Sequence, residues 1–449
     1  MRPRTRSVLF IFLVLAITAV VAPAAQAAPG DTIWSHTWNT DPATTILMPR
    51  VVTCATGDVY VTASIDRGTG HGYDWMVSRY SAAGTRVWTR YFDGPAHGGD
   101  YVTALAADRA GNVVLCGNAV SSAAHGYDFT AVRFSRAGKL LWSRRTNGSA
   151  NGPDVARDVV VDGAGNVTVA GVVQRNTTGT DWLTLHYSPA GKLLWRRYCD
   201  GPAHGYDNAA SLTRDAGGHL YVAGSVDGGP TRLADVRIIR FSASGHTDWT
   251  LNWGSANTNE SVSDIAVSSY GIAWVGGMTS AGKQWGLLGS VDLSGHMAVA
   301  PFTDGYFDPA GTTCTTDCVA IDRFGDVAWA GDKMTSPAHG LDYYLAQSTA
   351  GFGPTPLLRN GTASSTDLVA SICMSAGGIV YATGALTDTG TARNIYTVAR
   401  YANGIQLWEQ YYYGAGASAD AGQSIALASD GVYVAGNRGS DLVLIKYVP

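Results

Sequence analysis

Short hydrophobic runs alternate along this chain with turns rich in Gly, Asp and Asn. The stretch from Asp74 to Gly117 shows the pattern, with runs at 74–80, 85–91, 100–107 and 111–117 and small or polar residues between them. Runs of this length that are rich in Val, Leu, Tyr, Trp and Thr predict β-strands, because amphipathic helices need longer periodic segments. The pattern therefore predicts a meander of four short strands.

This four-strand unit repeats along the chain. Its second strand occurs eight times, first at 58–62 and then in copies that each close on a glycine, 52 to 54 residues apart. The closing residues are Gly117, Gly171, Gly224, Gly277, Gly331, Gly384 and Gly436. The fourth strand carries a tryptophan on the same period, at Trp88, Trp142, Trp195, Trp249 and Trp408, whereas the fifth and sixth units lack it.

The two ends of the repeat array complement each other. Trp34 lies 54 positions before Trp88 and therefore occupies the position of a fourth strand, but the first three strands of its unit do not precede it. At the other end of the chain, the last unit stops after its third strand. A ring in which Ile33 to Trp38 supplies the outermost strand of the last unit leaves no unpaired edge strand. The sequence thus predicts an all-β fold, an eight-bladed β-propeller of four-stranded antiparallel blades closed by its N-terminal strand. A parallel β-helix or a pair of β-sandwiches explains the period of about 53 residues less well.

The run from Tyr73 to Trp88, together with Asp108-Arg-Ala-Gly-Asn-Val, resembles the SBBP β-propeller repeat of exported bacterial proteins. The resemblance covers nearly the whole chain after residue 27, and it is strongest from 70 to 250 and weakest from 280 to 360. It implies a propeller and export, but no general activity. The name of that family implies seven blades, whereas the repeats counted in this chain number eight.

Residues 1–27 predict an export signal. Three arginines lie within the first six residues, an apolar run follows over residues 8–21, and Ala25-Gln26-Ala27 matches a cleavage site. A membrane anchor is the alternative, but the apolar run is short and is followed by Pro23. We therefore expect residues 28–449 to form a single propeller domain that is secreted, extracellular and monomeric, with no membrane span after signal removal.

Composition supports the fold class and excludes some partners. Only two Glu stand against 55 Gly, and the formal net charge is −4 with no basic run after the signal, which argues against a nucleic-acid partner. Six cysteines could form disulfides after export or remain buried thiols, at Cys54, Cys116, Cys199, Cys314, Cys318 and Cys373. A bridge between Cys314 and Cys318 requires a loop, because four residues of extended strand span about 13 Å.

Candidate chemistry concentrates on one face of the predicted ring. If the first strand of each blade is innermost, the loops between second and third strands and the blade-to-blade connections share one face, which we call the long-loop face. The tight turns, such as 108–112, lie on the other, and we call it the tight-turn face. A His-Gly-x-Asp motif recurs in the long loops, with candidate binding residues His71, Asp74, His97, Asp100, His125, Asp128, His204, Asp207, His339 and Asp342.

Three interpretations of this motif remain open. In the first, Asp caps the turn that opens the next strand and Gly supplies a positive φ, so that the motif is structural. In the second, His and Asp bind a metal such as zinc, with ligands converging from separate blades. In the third, the motif forms a recognition rim with Tyr73, Tyr127 and Tyr206 for a glycan or peptide.

Repeated positions in the third and fourth strands are interpreted as packing. The third strand carries a basic residue or histidine that either pairs with a neighbouring Asp or projects to solvent, at Arg79, Arg133, His186, Arg240, Arg400 and Lys446. The fourth-strand tryptophans are expected to pack one blade against the next.

Common enzyme motifs are absent from the sequence, which contains no Gly-x-Ser-x-Gly, no His-Glu-x-x-His and no Cys-x-x-Cys. The sequence therefore favours an exported binding or scaffold protein, without a cofactor, that recognises an extracellular protein, peptide or glycan through the long-loop face. The alternative is an extracellular hydrolase or lyase that uses His and Asp of the same face, with or without a metal.

Overall fold

The computed structural model describes residues 27–38, 45–68, 70, 72–122, 126–230, 232–280, 283–302, 314–336, 340–348, 356–359, 367–387, 393–401, 404–413 and 420–449. These residues form 32 strands in eight sheets, each with four antiparallel strands, and no helix. No segment in the described ranges is therefore a helix able to span a membrane. The predicted signal, apart from Ala27, lies outside them.

Each blade is a meander of consecutive strands. Blade 1 contains β2 (Ile46–Thr53), β3 (Val59–Asp66), β4 (Tyr73–Tyr80) and β5 (Arg86–Phe92). Blade 2 contains β6 (Tyr101–Ala107), β7 (Val113–Ser122), β8 (Gly126–Phe134) and β9 (Leu140–Thr146). Blade 3 contains β10 (Val155–Val161), β11 (Val167–Arg175), β12 (Gly179–Tyr187) and β13 (Leu193–Cys199). Blade 4 contains β14 (Asn208–Arg214), β15 (Leu220–Gly229), β16 (Leu233–Phe241) and β17 (Thr247–Trp253).

The second half continues the pattern. Blade 5 contains β18 (Asn259–Val267), β19 (Ile272–Ser280), β20 (Lys283–Val291) and β21 (Met297–Phe302). Blade 6 contains β22 (Cys314–Ile321), β23 (Val327–Ser336), β24 (Gly340–Ser348) and β25 (Leu357–Arg359). Blade 7 contains β26 (Leu368–Met374), β27 (Val380–Thr387), β28 (Arg393–Arg400) and β29 (Gln406–Tyr412). Blade 8 contains β30 (Ala421–Ala428), β31 (Gly431–Arg438), β32 (Asp441–Tyr447) and β1 (Thr32–Trp38).

The last blade is completed by the first strand, as the sequence predicts. Strand β1 pairs antiparallel with β32 in a register that places Thr32 opposite Tyr447 and Trp38 opposite Leu442. A pairing of six residues satisfies the backbone groups of β32 that would otherwise form an open edge. The eight-bladed architecture predicted from the repeat is therefore confirmed.

The first strands of neighbouring blades contact one another around the axis, and β2 and β30 close this inner ring. Hydrophobic clusters fill the space between successive blades, so that each cluster combines side chains of two sheets. The cluster between the last and first blades includes Tyr80 and Tyr433. Most residues of the second and third strands are buried because a neighbouring sheet covers each of their faces.

A β-bulge in the inner strand explains the repeated glycine of the second strand. In blade 3 the register shifts between Ala156 and Asp158, and a Cβ on Gly171 would lie 2.1 Å from the carbonyl oxygen of Val155. The same clash, at 1.8 to 2.2 Å, excludes a side chain at Gly117, Gly224, Gly276, Gly384 and Gly436. The residue at this position in blade 5 is thus Gly276, and the choice of Gly277 from the spacing alone is wrong by one residue.

The fourth-strand tryptophans join neighbouring blades, as expected. The Trp88 indole N–H donates to the carbonyl oxygen of Arg136 at 2.9 Å, and the Trp195 indole donates to Ala243 at 3.0 Å. Trp34 makes the corresponding contact from the last blade, 3.4 Å from the carbonyl oxygen of Ala82. Each indole therefore reaches the tight turn between the third and fourth strands of the next blade.

The basic position of the third strand mostly forms ion pairs within the protein. Arg133 and Asp108 are both buried and in contact, and the Lys446 ammonium lies 2.7 Å from Asp430. His186 differs, because its Nδ1 is 2.8 Å from the Thr168 hydroxyl and its ring stacks on Trp195. Burial lowers the pKa of His186, which favours the neutral ring.

The described thiols are free. Cys54, Cys116, Cys199, Cys318 and Cys373 form no disulfide, which agrees with the interpretation as small buried or half-buried side chains. Cys314 and Cys318 lie on the same strand, where the extended backbone keeps residues four apart too distant to bond.

Candidate functional site

The blade-to-blade connections that follow blades 1 and 3 are copies of one loop. Residues 93–100 and 200–207 both read Asp-Gly-Pro-Ala-His-Gly-x-Asp, and each loop has a positive φ at its histidine. The last Asp of each loop is buried and holds the loop in place. Asp207 accepts backbone N–H groups of Gly201 and Asp227 at 2.5 and 2.7 Å, and Asp100 accepts those of Gly94 and Val120.

The two histidines of these loops are exposed and oriented by carboxylates. Nδ1 of His97 lies 2.6 Å from Asp93, and Nδ1 of His204 lies 2.6 Å from Asp200. Both imidazoles are about 60% accessible to solvent. The loops therefore present a His-Asp pair at two places on the long-loop face, while the predicted residues His71, His125 and His339 lie outside the described residues.

The aspartates of the motif are buried rather than displayed. Asp74, at the start of β4, is fully buried and pairs with Arg67, and Asp181 holds the same position in blade 3 and pairs with Arg175 at 2.9 Å. Asp128 and Asp342 are also buried near the starts of their third strands. The Asp positions of the motif thus have the anchoring geometry of the structural interpretation, although several of their oxygen atoms face one another in clusters.

Two such clusters contain three carboxylates each. In blade 3, Asp181, Asp200 and Asp207 each place one oxygen within 4.8 Å of the others. Asp74, Asp93 and Asp100 form the equivalent cluster in blade 1. Each cluster unites the start of a third strand with both ends of the duplicated loop, because the third strand begins and the fourth strand ends on the same face.

Burial and neighbouring negative charges raise the pKa of the anchoring aspartate in each cluster. Burial, together with the charges of Asp200 and Asp181, raises the pKa of Asp207 to about 6, although the two backbone donors lower it. Asp100 also has a pKa raised to about 6, first by burial and then by Asp93 and Asp74. Such shifts are typical of carboxylates that share a site.

Blade 2 carries a neutral variant of the same arrangement. Asn147 stands where Asp93 and Asp200 stand in the other two blades, and its side-chain N–H₂ donates to Asn151 at 2.8 Å. A pocket of about 420 Å³ opens there, lined by Ser121, Ser122, Asp128, Arg145 and Asn147. Oδ1 of Asp128 and Oδ1 of Asn147 are buried and have no hydrogen-bond partner among the described residues.

Three tyrosines of blades 1 and 2 lie together, and one of them, Tyr127, directly precedes the pocket residue Asp128 in the sequence. The Tyr101 ring is 5.3 Å from that of Tyr73 and 6.0 Å from that of Tyr127, measured between centroids. All three are partly exposed on the long-loop face, and we call them the tyrosine cluster. Burial raises the pKa of the Tyr101 hydroxyl, and the hydroxyls of Tyr127 and Tyr73 raise it further. Tyr206, predicted for the same surface, is 59% exposed in the loop after blade 3.

The opposite, tight-turn face also has a cavity, which sequence inspection did not predict. A pocket of about 550 Å³ lies among the turns at 214–217, 268–269 and 322–323 of blades 4 to 6. Its lining comes from ordinary turn residues, so no motif distinguishes it in the sequence.

Asp93 and Asp200 are the residues that the sequence interpretation missed. They follow the fourth strand and do not belong to the His-Gly-x-Asp motif, although both stand four positions before its histidine. Comparing the two connections over their full eight residues would have revealed them, since only one position differs.

Comparison with known proteins supports the fold alone. No family model matches the sequence, no curated protein is similar to it, and membership of the SBBP family stays a prediction. The structure is similar to Sqt1 from Chaetomium thermophilum, with a TM-score of 0.57 and 10% identity, over 93% of this chain and 99% of that one. Two more distant similarities, both with a TM-score of 0.46, are to the polysaccharide lyase Uly1 (9% identity, 94% and 99% of the two chains) and to the β-propeller domain of the Trilobed protease from Pyrococcus furiosus (8% identity, 82% and 97%).

Proposed function

We propose that this chain is an exported binding or scaffold protein that recognises a glycan, peptide or protein partner through the long-loop face of blades 1 and 2. The observation that carries the proposal is the blade 2 pocket, in which Asp128 and Asn147 each have a buried oxygen without a hydrogen-bond donor among the described residues. A buried acceptor without a donor costs free energy, and a ligand that supplies the donor recovers it.

The pocket has the composition that suits a hydroxyl-rich or amide-rich ligand. Sugar hydroxyls and peptide N–H groups donate hydrogen bonds to carboxylate and amide oxygens, while Arg145 adds a cation at the rim. The tyrosine cluster, which shares strand β8 with the pocket residue Asp128, offers partly exposed rings of the kind that stack on sugar faces or on peptide side chains. An eight-bladed propeller provides a rigid support for such a surface.

A screen of glycans and peptides against the protein without its signal segment tests this proposal. Tyr127→Ala and Asn147→Ala are expected to weaken a captured ligand at least tenfold, because they remove a stacking surface and a hydrogen-bond acceptor. Tyr270→Ala is the matched control, since Tyr270 is 67% exposed in a tight turn on the opposite face. Loss of binding in Tyr270→Ala, with none in the other two variants, would contradict the proposal and place the ligand on the tight-turn face.

The alternative function, an extracellular hydrolase or lyase, has one supporting observation. A histidine whose Nδ1 is held by a carboxylate has the orientation of a general base, and His97 and His204 both have it. The enzyme would be favoured if the protein turns over a glycan or peptide from the screen and the double variant His97→Ala/His204→Ala binds that ligand without turning it over. Binding without turnover in both the wild-type protein and the double variant favours the scaffold.

A further inference from the structure

We propose that Asp181, Asp200 and Asp207 form a Ca²⁺ site, and that Asp74, Asp93 and Asp100 form a second copy of it. This inference is independent of the proposed function, because none of these six carboxylates lines the blade 2 pocket or belongs to the tyrosine cluster. The three ligand oxygens of each cluster lie within 4.8 Å of one another, and oxygens bound to one Ca²⁺ at 2.3–2.6 Å can be up to about 5 Å apart.

The first argument is that two buried carboxylate oxygens of the cluster have no hydrogen-bond partner among the described residues. The Asp181 side chain is completely buried, and its Oδ2 accepts from Arg175 and from the Thr178 hydroxyl at 2.9 and 2.8 Å. Its Oδ1 is buried without a hydrogen-bond partner in the described part of the chain. Oδ1 of Asp200 is in the same state, while Oδ2 of that residue contacts His204. Two orphaned carboxylate oxygens in one cluster require a cation or a proton.

The second argument is the balance of charge. Three carboxylates lie together, and Asp181 forms an ion pair with Arg175. The Arg237 guanidinium donates to the backbone carbonyl oxygen of Asp200 at 3.2 Å, so two cations stand near three carboxylates. Backbone N–H groups hold both oxygens of Asp207 in position, so this carboxylate cannot turn away from its neighbours. A divalent cation removes the repulsion that remains, and it uses lone pairs that the N–H donors leave available.

The donor atoms select a hard cation. All three ligands offer carboxylate oxygen, and the nearby imidazole of His204 has its Nδ1 engaged by Asp200, which leaves a set without nitrogen or sulfur. Carboxylate oxygens suit Ca²⁺, which tolerates irregular geometry and completes its shell with water, whereas zinc prefers sets containing His or Cys. Asp200 is partly exposed, so water has access to the open side of the cluster.

The third argument comes from comparing three blades. The loop that follows blade 2 keeps the buried Asp154, which accepts the backbone N–H of Gly148 at 2.5 Å, but it has Asn147 in place of the middle carboxylate. Blade 2 therefore has the same backbone frame with only two carboxylates, Asp128 and Asp154. The chain thus contains an internal control in which one of the three ligand positions of a Ca²⁺ site, that of Asp93 and Asp200, is changed.

Equilibrium dialysis of the metal-free protein against CaCl₂ measures the stoichiometry directly. Two Ca²⁺ are expected per chain, one in Asp200→Asn, one in Asp93→Asn and none in the double variant. Asn147→Asp is expected to add a third site in blade 2. Asp248→Asn makes the same charge change near the tight-turn face and is expected to leave the stoichiometry at two. Each site is expected to raise the unfolding temperature on addition of Ca²⁺, and circular dichroism checks that every variant folds.

Several outcomes would overturn the proposal. Wild-type protein that binds no Ca²⁺, or Asp200→Asn and Asp93→Asn variants that keep both ions, would exclude these clusters as the sites. If the protein retains Zn²⁺ in preference to Ca²⁺, and His204→Ala loses the Zn²⁺, the cluster is a zinc site with a histidine ligand and the proposal is wrong. Because the measurement uses the ion alone, failure to find a glycan or peptide partner has no bearing on the result.

Discussion

Trp34 lies directly opposite Lys446 in the seam between β1 and β32. The Trp34 indole is 3.4 Å from the carbonyl oxygen of Ala82 in blade 1, and the Lys446 ammonium donates to the same oxygen at 3.0 Å. One pair of residues therefore links the first strand, the last strand and the neighbouring blade. This seam completes blade 8 and fastens it to blade 1.

Replacing Trp34 with alanine is expected to lower the free energy of unfolding by about 2 kcal/mol, less than for a fully buried aromatic residue because Trp34 is only half-buried. Ile33→Ala is the control on the same strand, since Ile33 is exposed and should change stability by less than about 0.5 kcal/mol. Equilibrium denaturation of both variants measures the difference. Equal effects would mean that the seam does not depend on the indole.

Gly171→Ala is expected to destabilise the protein by about 3 kcal/mol, because the new methyl group would meet the Val155 carbonyl at the bulge and force the inner strand to move. Gly163→Ala provides the contrast. Its Cβ would come no closer than 4.0 Å to any other group, and we expect a change within about 0.5 kcal/mol. If thermal or denaturant unfolding shows both variants to be as stable as the parent, the explanation of the glycine period is wrong.

Arg133→Ala is expected to cost about 3 kcal/mol or more, because it leaves the buried Asp108 carboxylate without its ion-pair partner. Arg136→Ala breaks a pair of similar geometry with Asp58, but Arg136 is half-exposed and Asp58 keeps its second partner, Arg79. We expect that change to cost much less stability than Arg133→Ala, because solvent screens an exposed pair. A loss of stability for Arg136→Ala as large as that for Arg133→Ala would show that burial does not separate the two pairs.

Asp264 gives a prediction about pH. It lies on the inner strand β18. It accepts the backbone N–H of Val319 on β22 at 3.0 Å and the hydroxyl of Ser211 on β14 at 3.0 Å. Loss of hydration and, to a smaller extent, the charge of Asp158 raise the pKa of Asp264 from 3.8 to about 6, although its hydrogen bonds lower it. The folded state therefore binds this proton more tightly than the unfolded chain.

Proton linkage determines whether this group stabilises or destabilises the fold as the pH rises. Between pH 4 and pH 6 the folded state holds more protons than the unfolded state at this site, so its contribution to stability falls as the pH rises. The free energy of unfolding of the parent, minus that of Asp264→Asn, is expected to decrease across this window, by at most about 1.4 kcal/mol per pH unit, and to level off above pH 7. A difference that does not vary with pH would contradict the assignment.

The closed ring of eight blades was predictable because tryptophan and glycine recur in the sequence at a nearly constant spacing. The spacing of Trp34 from Trp88 identifies a displaced fourth strand before any coordinates are known, and the glycine period identifies the blades. The exact glycine in blade 5 was not predictable from spacing, because the requirement for Gly276 arises from the carbonyl oxygen of Ser261 on the adjacent strand. Contacts between strands decide such details, and the sequence of one strand does not contain them.

The site was predictable only in part. Asp100 and Asp207 were identified through their motif, but their anchoring role depends on where the loop directs its backbone N–H groups. The proximity of Asp181 and Asp200 was not predictable, since it arises only because the start of β12 and the end of β13 lie on the same face. Residue spacing predicts which face a side chain occupies, whereas the folding of each loop determines which atoms meet.

The pairing of β1 with β32 also bears on how the protein is made. Synthesis of the 409 residues that separate Trp38 from the end of β32 takes on the order of 20 to 80 seconds at usual translation rates. Throughout that time β1 has no partner from its own blade, because β32 has not yet been translated. Blades 1 to 7 can form in order as the chain emerges, but the circle itself closes only after translation of the final strand.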